Sequence, residues 1–307
     1  MSDSPAVSVI IPAYGHADLI GETLDSVLAQ TFDDYEIIVI DDGSPDDTAG
    51  AVEAVSRRSP RPIRYERQEN RGQGGARNVG LKLARGEFVA YLDDDDLWPA
   101  DKLEWQIECL RRDDQLGLVW GEHSVLLPDG GEFHHQPRFV DMPEGEAHAA
   151  FLYKNRIMSP GQTLIRRSAL ERVGGFDESI WGADDWDLYL RLAKVTTFAF
   201  DPRLALRYRE HARNASRRAV EHAANHRAVI RRHVGRNPLS YWPAVWRGRS
   251  YYLPRLLAAG ERAEAESRHQ DAVAAYLSAL KYRPALALRP WRVWALVRSG
   301  LRAVARS

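Results

Sequence analysis

Apolar residues in the first hundred positions alternate between short unbroken runs and helix-spaced sets. Val7-Ser8-Val9-Ile10-Ile11 is rich in β-branched residues and ends at Pro12, the pattern of a strand buried on both faces. Ile20, Leu24, Val27 and Leu28 then share one helical face. A second run, Glu36-Ile37-Ile38-Val39-Ile40, stops at the turn sequence Asp41-Asp42-Gly43-Ser44-Pro45. Helices are predicted over about 46–58 and 73–84, and strands over about 63–67 and 88–92. Strands alternating with helices in this order predict an α/β fold. It has a mostly parallel, doubly wound sheet, flanked by helices and joined by right-handed crossovers.

Further along, strands are predicted around the hairpin turn Pro128-Asp129-Gly130-Gly131 and at Thr163-Leu164-Ile165, the latter followed by a Gly174-Gly175 turn. A helix is predicted over about 184–194, with Trp186, Leu188, Tyr189 and Leu192 as its apolar residues. Beyond about residue 215 the chain reads as helical and rich in Arg and Ala. Ala272, Tyr276, Ala279 and Pro284, with Gly260 before them, fall at the spacing of one tetratricopeptide-like helical hairpin. Two domains are expected, an α/β domain over 1–215 and an Arg-rich helical region over 216–307.

Composition narrows the class. The 307 residues are 44% hydrophobic and 28% charged, which excludes disordered, collagen-like and coiled-coil chains. No run of about 18 apolar residues exists to span a bilayer. The first residues lack the basic and apolar segments of a signal peptide, and a cytoplasmic location is expected. A lone cysteine, Cys109, excludes an internal disulfide and a cysteine-built zinc site. The net charge of −1 conceals a division: residues 202–307 carry 22 basic and 6 acidic side chains, leaving 20 and 37 in the rest. The acidic part suits a cation or a polyhydroxylated substrate, and the basic part suits phosphate, nucleic acid or anionic lipid.

Ligands of open α/β sheets bind outside the carboxyl ends of the strands. The unusual residues gather at those ends: Pro12-Ala13-Tyr14 after the first, Asp41-Asp42 after the second, and Asp93 to Asp96 after the fourth. Four adjacent carboxylates repel unless solvent or a cation offsets the repulsion. In an extended segment Asp93 and Asp95 point the same way, so both can face one Mg²⁺ or Mn²⁺ ion. A solvated acidic cap for a helix starting near Pro99 fits the same pattern. The glycines of Asn70 to Asn78 permit close backbone approach to phosphate, with Arg77 adding charge. Asp184-Asp185 at a helix start, beside Trp181 and Trp186, reads either as a cap or as a general base next to a sugar platform. His211 in Tyr208-Arg209-Glu210-His211 is either structural or a metal ligand.

Five ordered segments resemble the family 2 glycosyltransferases of the GT-A fold: VSVIIPAY, IVIDDGSPDDT, ENRGQGGARNVGLKLARGEFVAYLDDDD, GGFDESIWGADDWDLYLRL and YREH. The resemblance covers residues 7 to about 215. It implies that Asp42, with Asp41 adjacent, reads the nucleotide base, and that Pro12, Ala13 and Tyr14 line the nucleoside pocket. The metal-binding DxD motif would fall on Asp93 and Asp95, with Asp94 near the ribose and His211 near the metal or diphosphate. The acidic pair of the family, usually Glu-Asp, is Asp184-Asp185 here and makes Asp185 the catalytic base. The implied reaction is metal-dependent, inverting transfer of a hexosyl group from a nucleotide-diphosphate sugar, a UDP-sugar foremost, to a hydroxyl on a saccharide or lipid-linked acceptor. Cell-surface polysaccharide or other glycoconjugate synthesis is the implied setting.

Two other readings compete. A sugar-1-phosphate nucleotidyltransferase would carry a Gly-rich basic loop directly after the first strand, where this chain has Pro12-Ala13-Tyr14-Gly15-His16. A catalytically inactive GT-A interaction protein is the other, and the intact acidic motifs argue against it. In the tail, Arg289, Arg292, Arg298, Arg302 and Arg306 accompany an apolar stripe of Trp291, Trp294, Val297, Leu301 and Val304. That pattern fits an interfacial helix on an anionic membrane at its inner face, or a basic helix packed on the domain. Nucleic acid is not expected as a partner, because no nucleic-acid motif accompanies the charge.

Overall fold

The computed structural model describes residues 4–134, 147–152, 155–211, 213–214 and 218–284. Its contacts divide the chain into two compact units, one of residues 1–151, 155–179 and 184–212, the other of 152–154, 180–183 and 213–307.

The first unit begins with the predicted alternation: β1 (Val7–Ala13), α1 (Ile20–Leu28), β2 (Tyr35–Asp41), α2 (Thr48–Ser56), β3 (Ile63–Arg67), α3 (Gly72–Leu83) and β4 (Phe88–Tyr91). These four strands pair in parallel, in the order β3-β2-β1-β4. All seven residues of β1 are buried, which is why its apolar run is unbroken rather than alternating. Ser8 is tolerated there because its hydroxyl donates to Glu36 and accepts from the backbone of Arg85 and Gly86. Helix α3 lies close on the sheet at Gly80, where an added Cβ would sit 2.3 Å from Ile10 Cγ2.

The sheet continues through α4 (Lys102–Arg112), β5 (Leu116–Leu126), β6 (Glu132–His134), α5 (Ala147–Phe151), β7 (Thr163–Arg166), α6 (Arg167–Val173), α7 (Asp184–Leu192) and β8 (Thr197–Arg209). Strand β7 runs antiparallel to both β4 and β5, while β8 pairs with β5 in parallel. The predicted hairpin is β5–β6, and helix α6 stops at Gly174, whose φ of 82° is the left-handed conformation that glycine adopts without strain. Helix α4 starts at Lys102, not near Pro99, so Asp93 to Asp96 do not cap it. Cys109 lies half-buried on this helix. Strand β8, absent from the sequence prediction, places His211 two residues beyond its end.

In the second unit α8 (Ala219–Val234), α9 (Pro238–Arg247), α10 (Arg249–Ala265) and α11 (His269–Tyr282) follow one another. Helices α10 and α11 form the expected hairpin, with Ala272 and Ala279 buried. Gly260 leaves room for the Tyr276 ring, since a Cβ there would meet it at 2.5 Å. The basic tail from residue 286 lies outside the described residues.

Candidate active site

The four carboxylates after β4 turn toward four different partners, which relieves part of their mutual repulsion. The segment is not extended; it forms a turn closed by the Asp96 amide on the Asp93 carbonyl at 3.2 Å. Asp93 therefore does not share a face with Asp95, as alternation had predicted. Asp93 Oδ1 accepts from Arg77 Nη2 at 2.6 Å, and its Oδ2 lies 3.3 Å from the Ser159 hydroxyl. Asp94 accepts from the Tyr14 amide and pairs with His16 Nδ1, both at 2.8 Å. Asp95 Oδ2 faces His211 Nε2 at 2.9 Å. Asp96, fully buried, accepts from the Arg209 amide at 2.9 Å, and burial beside the other acids pushes its carboxyl well above the ordinary range.

Neighbouring elements hold this turn rigid. The Thr23 hydroxyl on α1 reaches the carbonyls of Asp94 and Asp96 at 3.0 and 2.9 Å. The amide and carbonyl of Leu97 pair with those of Arg207 on β8. Ser159 is fixed by a reciprocal capping box with Gln162 around the short 3-10 turn Pro160–Gln162. Burial of Asp94 raises its carboxyl to about 6, with His16 opposing that rise and Asp95 adding to it.

The second acidic group opens α7. Asp184 Oδ2 accepts from Arg77 Nη1 at 3.2 Å, so one guanidinium, only 2% exposed, joins the acidic turn to the acid pair. Asp185 accepts from Asn155 Nδ2 at 3.1 Å and from the Trp186 amide at 2.6 Å. Burial and the adjacent Asp184 raise the Asp185 carboxyl to about 7, against the attraction of Arg77.

At the ends of β1 and β2, Asp41 accepts from the Ser44 amide at 2.7 Å and from the Tyr65 hydroxyl, with Arg67 at 3.3 Å. Burial pushes this carboxyl up, but those hydrogen bonds outweigh it and hold it below the ordinary range. Asp42 Oδ1 accepts from Gln68 Nε2 at 2.7 Å and the Arg71 amide at 2.8 Å, which anchors the Gly-rich loop. Gly43, at φ 77°, makes the turn between them and takes close approach from the Asn70 backbone. Pro12 and Ala13 are buried at the strand end, and Tyr14 stands 49% exposed beside it.

The family model described as "Glycosyl transferase family 2" matches residues 8–174, and a second, "Glycosyltransferase like family 2", matches residues 141–236. The chain belongs to glycosyl transferase family 2. An uncharacterized glycosyltransferase of Rickettsia felis is 30% identical over 220 residues, 71% of this chain and 36% of that protein. The chain thus spans about a third of that relative's length. S. aureus TarS 1-349, solved in complex with UDP-GlcNAc, superposes with a TM-score of 0.66 at 19% identity over 96% of this chain and 88% of its own, a likeness of fold. The mannosyltransferase PcManGT of Pyrobaculum calidifontis, solved with GDP-Man and Mn²⁺, gives a TM-score of 0.59 at 25% identity over 99% and 87%. The mixed α/β architecture, a central sheet flanked by helices, is that of GT-A transferases.

Two sequence expectations for this family 2 chain need correction. Trp186 is not a sugar platform: it is 2% exposed, and its Nε1 donates to the Phe151 carbonyl at 2.7 Å. Trp186, Tyr189 and Leu190 occupy the inward face of α7, so neighbouring Asp185 in sequence puts the indole in the core. Arg77 does not extend toward phosphate, because both arms of its guanidinium are engaged by Asp93 and Asp184. Among the described residues, the donors that fit a divalent cation are His16, Asp95 and His211, whose ligand atoms lie within 4.8 Å of one another. Sequence reading passed over His16, Tyr65, Asn155 and Ser159 as site residues. Only His16, directly after a strand end bearing Tyr14, carried any signal.

Proposed function

We propose that this chain transfers a hexosyl group, with inversion, from a nucleotide-diphosphate sugar to a hydroxyl on a saccharide or lipid-linked acceptor. The observation that carries the reading is the buried Arg77 bridge, which ties Asp93 of the acidic turn to Asp184, the neighbour of the raised Asp185 carboxyl. Asp42 and Tyr14 with the Pro12-Ala13 strand end receive the nucleoside, with Asp41 as the brace of that turn. Asp94 would lie near the ribose, and Asp95 and His211 would hold Mn²⁺ or Mg²⁺, with Asp93 bracing the turn through Arg77. A cation there would supply charge neutralisation for the departing diphosphate.

Asp185 takes the acceptor proton as the acceptor oxygen bonds to the anomeric carbon and the bond from that carbon to the diphosphate oxygen breaks. A carboxyl near 7 suits that role, being substantially ionised at neutral pH yet basic enough to hold the proton afterwards. Asp184, neutralised by Arg77, positions Asp185, while Asn155 orients its carboxylate. UDP-sugars are the first donors to test, and polysaccharide or other glycoconjugate synthesis is the setting proposed. Among the described residues no helix is long and apolar enough to cross a membrane. The arginines of the tail are proposed to meet an anionic membrane at its cytoplasmic face, so removing residues 286–307 should abolish liposome binding. For the chemistry itself, Asp185→Asn should retain donor binding in calorimetry and lose transfer. Turnover near the wild-type rate would overturn the assignment.

A further inference from the structure

We infer that His16 is a third protein ligand of the cation site, and that this chain therefore selects Mn²⁺ or a later divalent transition metal over Mg²⁺. The inference deepens the proposed cation site at Asp95 and His211 and rests on it. Its basis is the way the end of β1 is built. Gly15, at φ 74°, turns the chain away from the sheet, and its amide donates to the Ser44 hydroxyl at 3.2 Å. The His16 carbonyl then accepts from the amides of Leu19 and Ile20, at 2.9 and 3.0 Å, where α1 begins. Backbone on both sides of His16 is thereby fixed, and its side chain is 14% exposed.

Asp94 sets which ring nitrogen of His16 can serve a metal. Asp94 accepts from the Tyr14 amide through Oδ2 and engages His16 Nδ1 through Oδ1, each at 2.8 Å. A carboxylate on Nδ1 makes that nitrogen the protonated one and leaves Nε2 as the lone-pair nitrogen, the carboxylate–histidine–metal arrangement. The His16 and His211 rings lie edge to face, 5.2 Å between centroids, and one ligand atom from each falls within 4.8 Å of an Asp95 oxygen. Two residues from separate parts of the chain, the β1–α1 connection and the segment after β8, thus converge on the same carboxylate.

Two imidazoles and one carboxylate change what such a site prefers. Mg²⁺ favours oxygen ligands in a near-ideal octahedron, whereas imidazole suits first-row transition metals. Affinity of a nitrogen-bearing site rises from Mn²⁺ through Co²⁺ toward Zn²⁺. The test is equilibrium titration of the full chain with Mn²⁺, Co²⁺ and Mg²⁺ alone, with pulsed electron paramagnetic resonance of bound Mn²⁺ to read nitrogen ligation. Wild type is expected to bind Mn²⁺ and Co²⁺ at least about tenfold more tightly than Mg²⁺. His16→Ala, checked for an unchanged melting curve, is expected to lose about 10–100-fold in Mn²⁺ affinity and part of the nitrogen modulation, with little change for Mg²⁺. Unchanged Mn²⁺ affinity and nitrogen signal in His16→Ala, while Asp95→Ala abolishes binding, would overturn the role of His16 and leave the cation site standing. No Mn²⁺ binding by wild type would overturn both.

Discussion

Replacing Arg77 by Met keeps most of the side chain's volume and removes its charge. The guanidinium is 2% exposed, 2.6 Å from Asp93 and 3.2 Å from Asp184, and lies 5.3 Å from the centroid of the Phe176 ring. Removing one partner of a buried ion pair costs about 3–5 kcal/mol, because the remaining charge is left uncompensated. For a unit of this size each kcal/mol lowers Tm by about 2–4 °C, so a fall of about 6–20 °C is expected at pH 8. The pH dependence carries the sharper test. Burial raises the Asp184 carboxyl, and Arg77 is the largest influence opposing that rise. Without the cation the folded state holds the Asp184 proton more tightly than the unfolded chain does, so stability falls as pH rises through that range. The Tm deficit should therefore narrow toward pH 5, where the carboxyl takes up a proton. Calorimetric melts at pH 5 and pH 8 measure both numbers. An equal Tm at pH 8, or a deficit the same at both pH values, would refute the bridge as the clamp between the two acidic groups. Arg77→Lys should recover only part of the loss, since an ammonium cannot reproduce the two-armed contact.

Three further outcomes are expected. The rate constant kcat/KM should fall about tenfold per pH unit below about 7 as Asp185 takes up a proton, and a flat profile down to pH 5 would contradict its role as base. In Asp185→Asn the same raised carboxyl is removed: moving an Asp from an ordinary 3.8 to about 7 corresponds to about 4 kcal/mol at full burial. Because Asp185 keeps some solvent contact, a gain of about 2 kcal/mol in denaturant unfolding at pH 8 is expected, and a loss there would count against a strained carboxyl. Gly80→Ala should cost about 1–3 kcal/mol, since its methyl would fall 2.3 Å from Ile10 Cγ2, and unchanged stability would contradict the close seating of α3 on β1.

The strands and helices from Val7 to Tyr91 were legible because each obeys a single period and is bounded by turn residues. Strand β8 was not, because Asp201-Pro202 interrupts it and its pairing with β5 contains register shifts, so no clean alternation survives. The acidic cluster was visible, but the direction of each carboxylate was not. Those directions are set by partners far away in sequence, such as Ser159, 66 residues beyond Asp93, and His211, 116 beyond Asp95. A cation after a Gly-rich loop reads alike whether it meets phosphate or a buried acid, and this explains Arg77. Trp186 was misplaced for a related reason: adjacency along a helix separates side chains by about 100°, so a neighbour of Asp185 can face the core. His16 has no spacing relation to Asp95 that a motif could express; the fold alone brings them together.

The most direct test is release of nucleoside diphosphate from a panel of UDP-, GDP- and dTDP-sugars, with Mn²⁺ and with chelator, by wild type and Asp185→Asn. Metal-dependent release from one donor by wild type, lost in Asp185→Asn, is the expected result. Silence on every donor, with diphosphate released instead from a nucleoside triphosphate and a sugar 1-phosphate, would contradict sugar transfer as the reaction of this site.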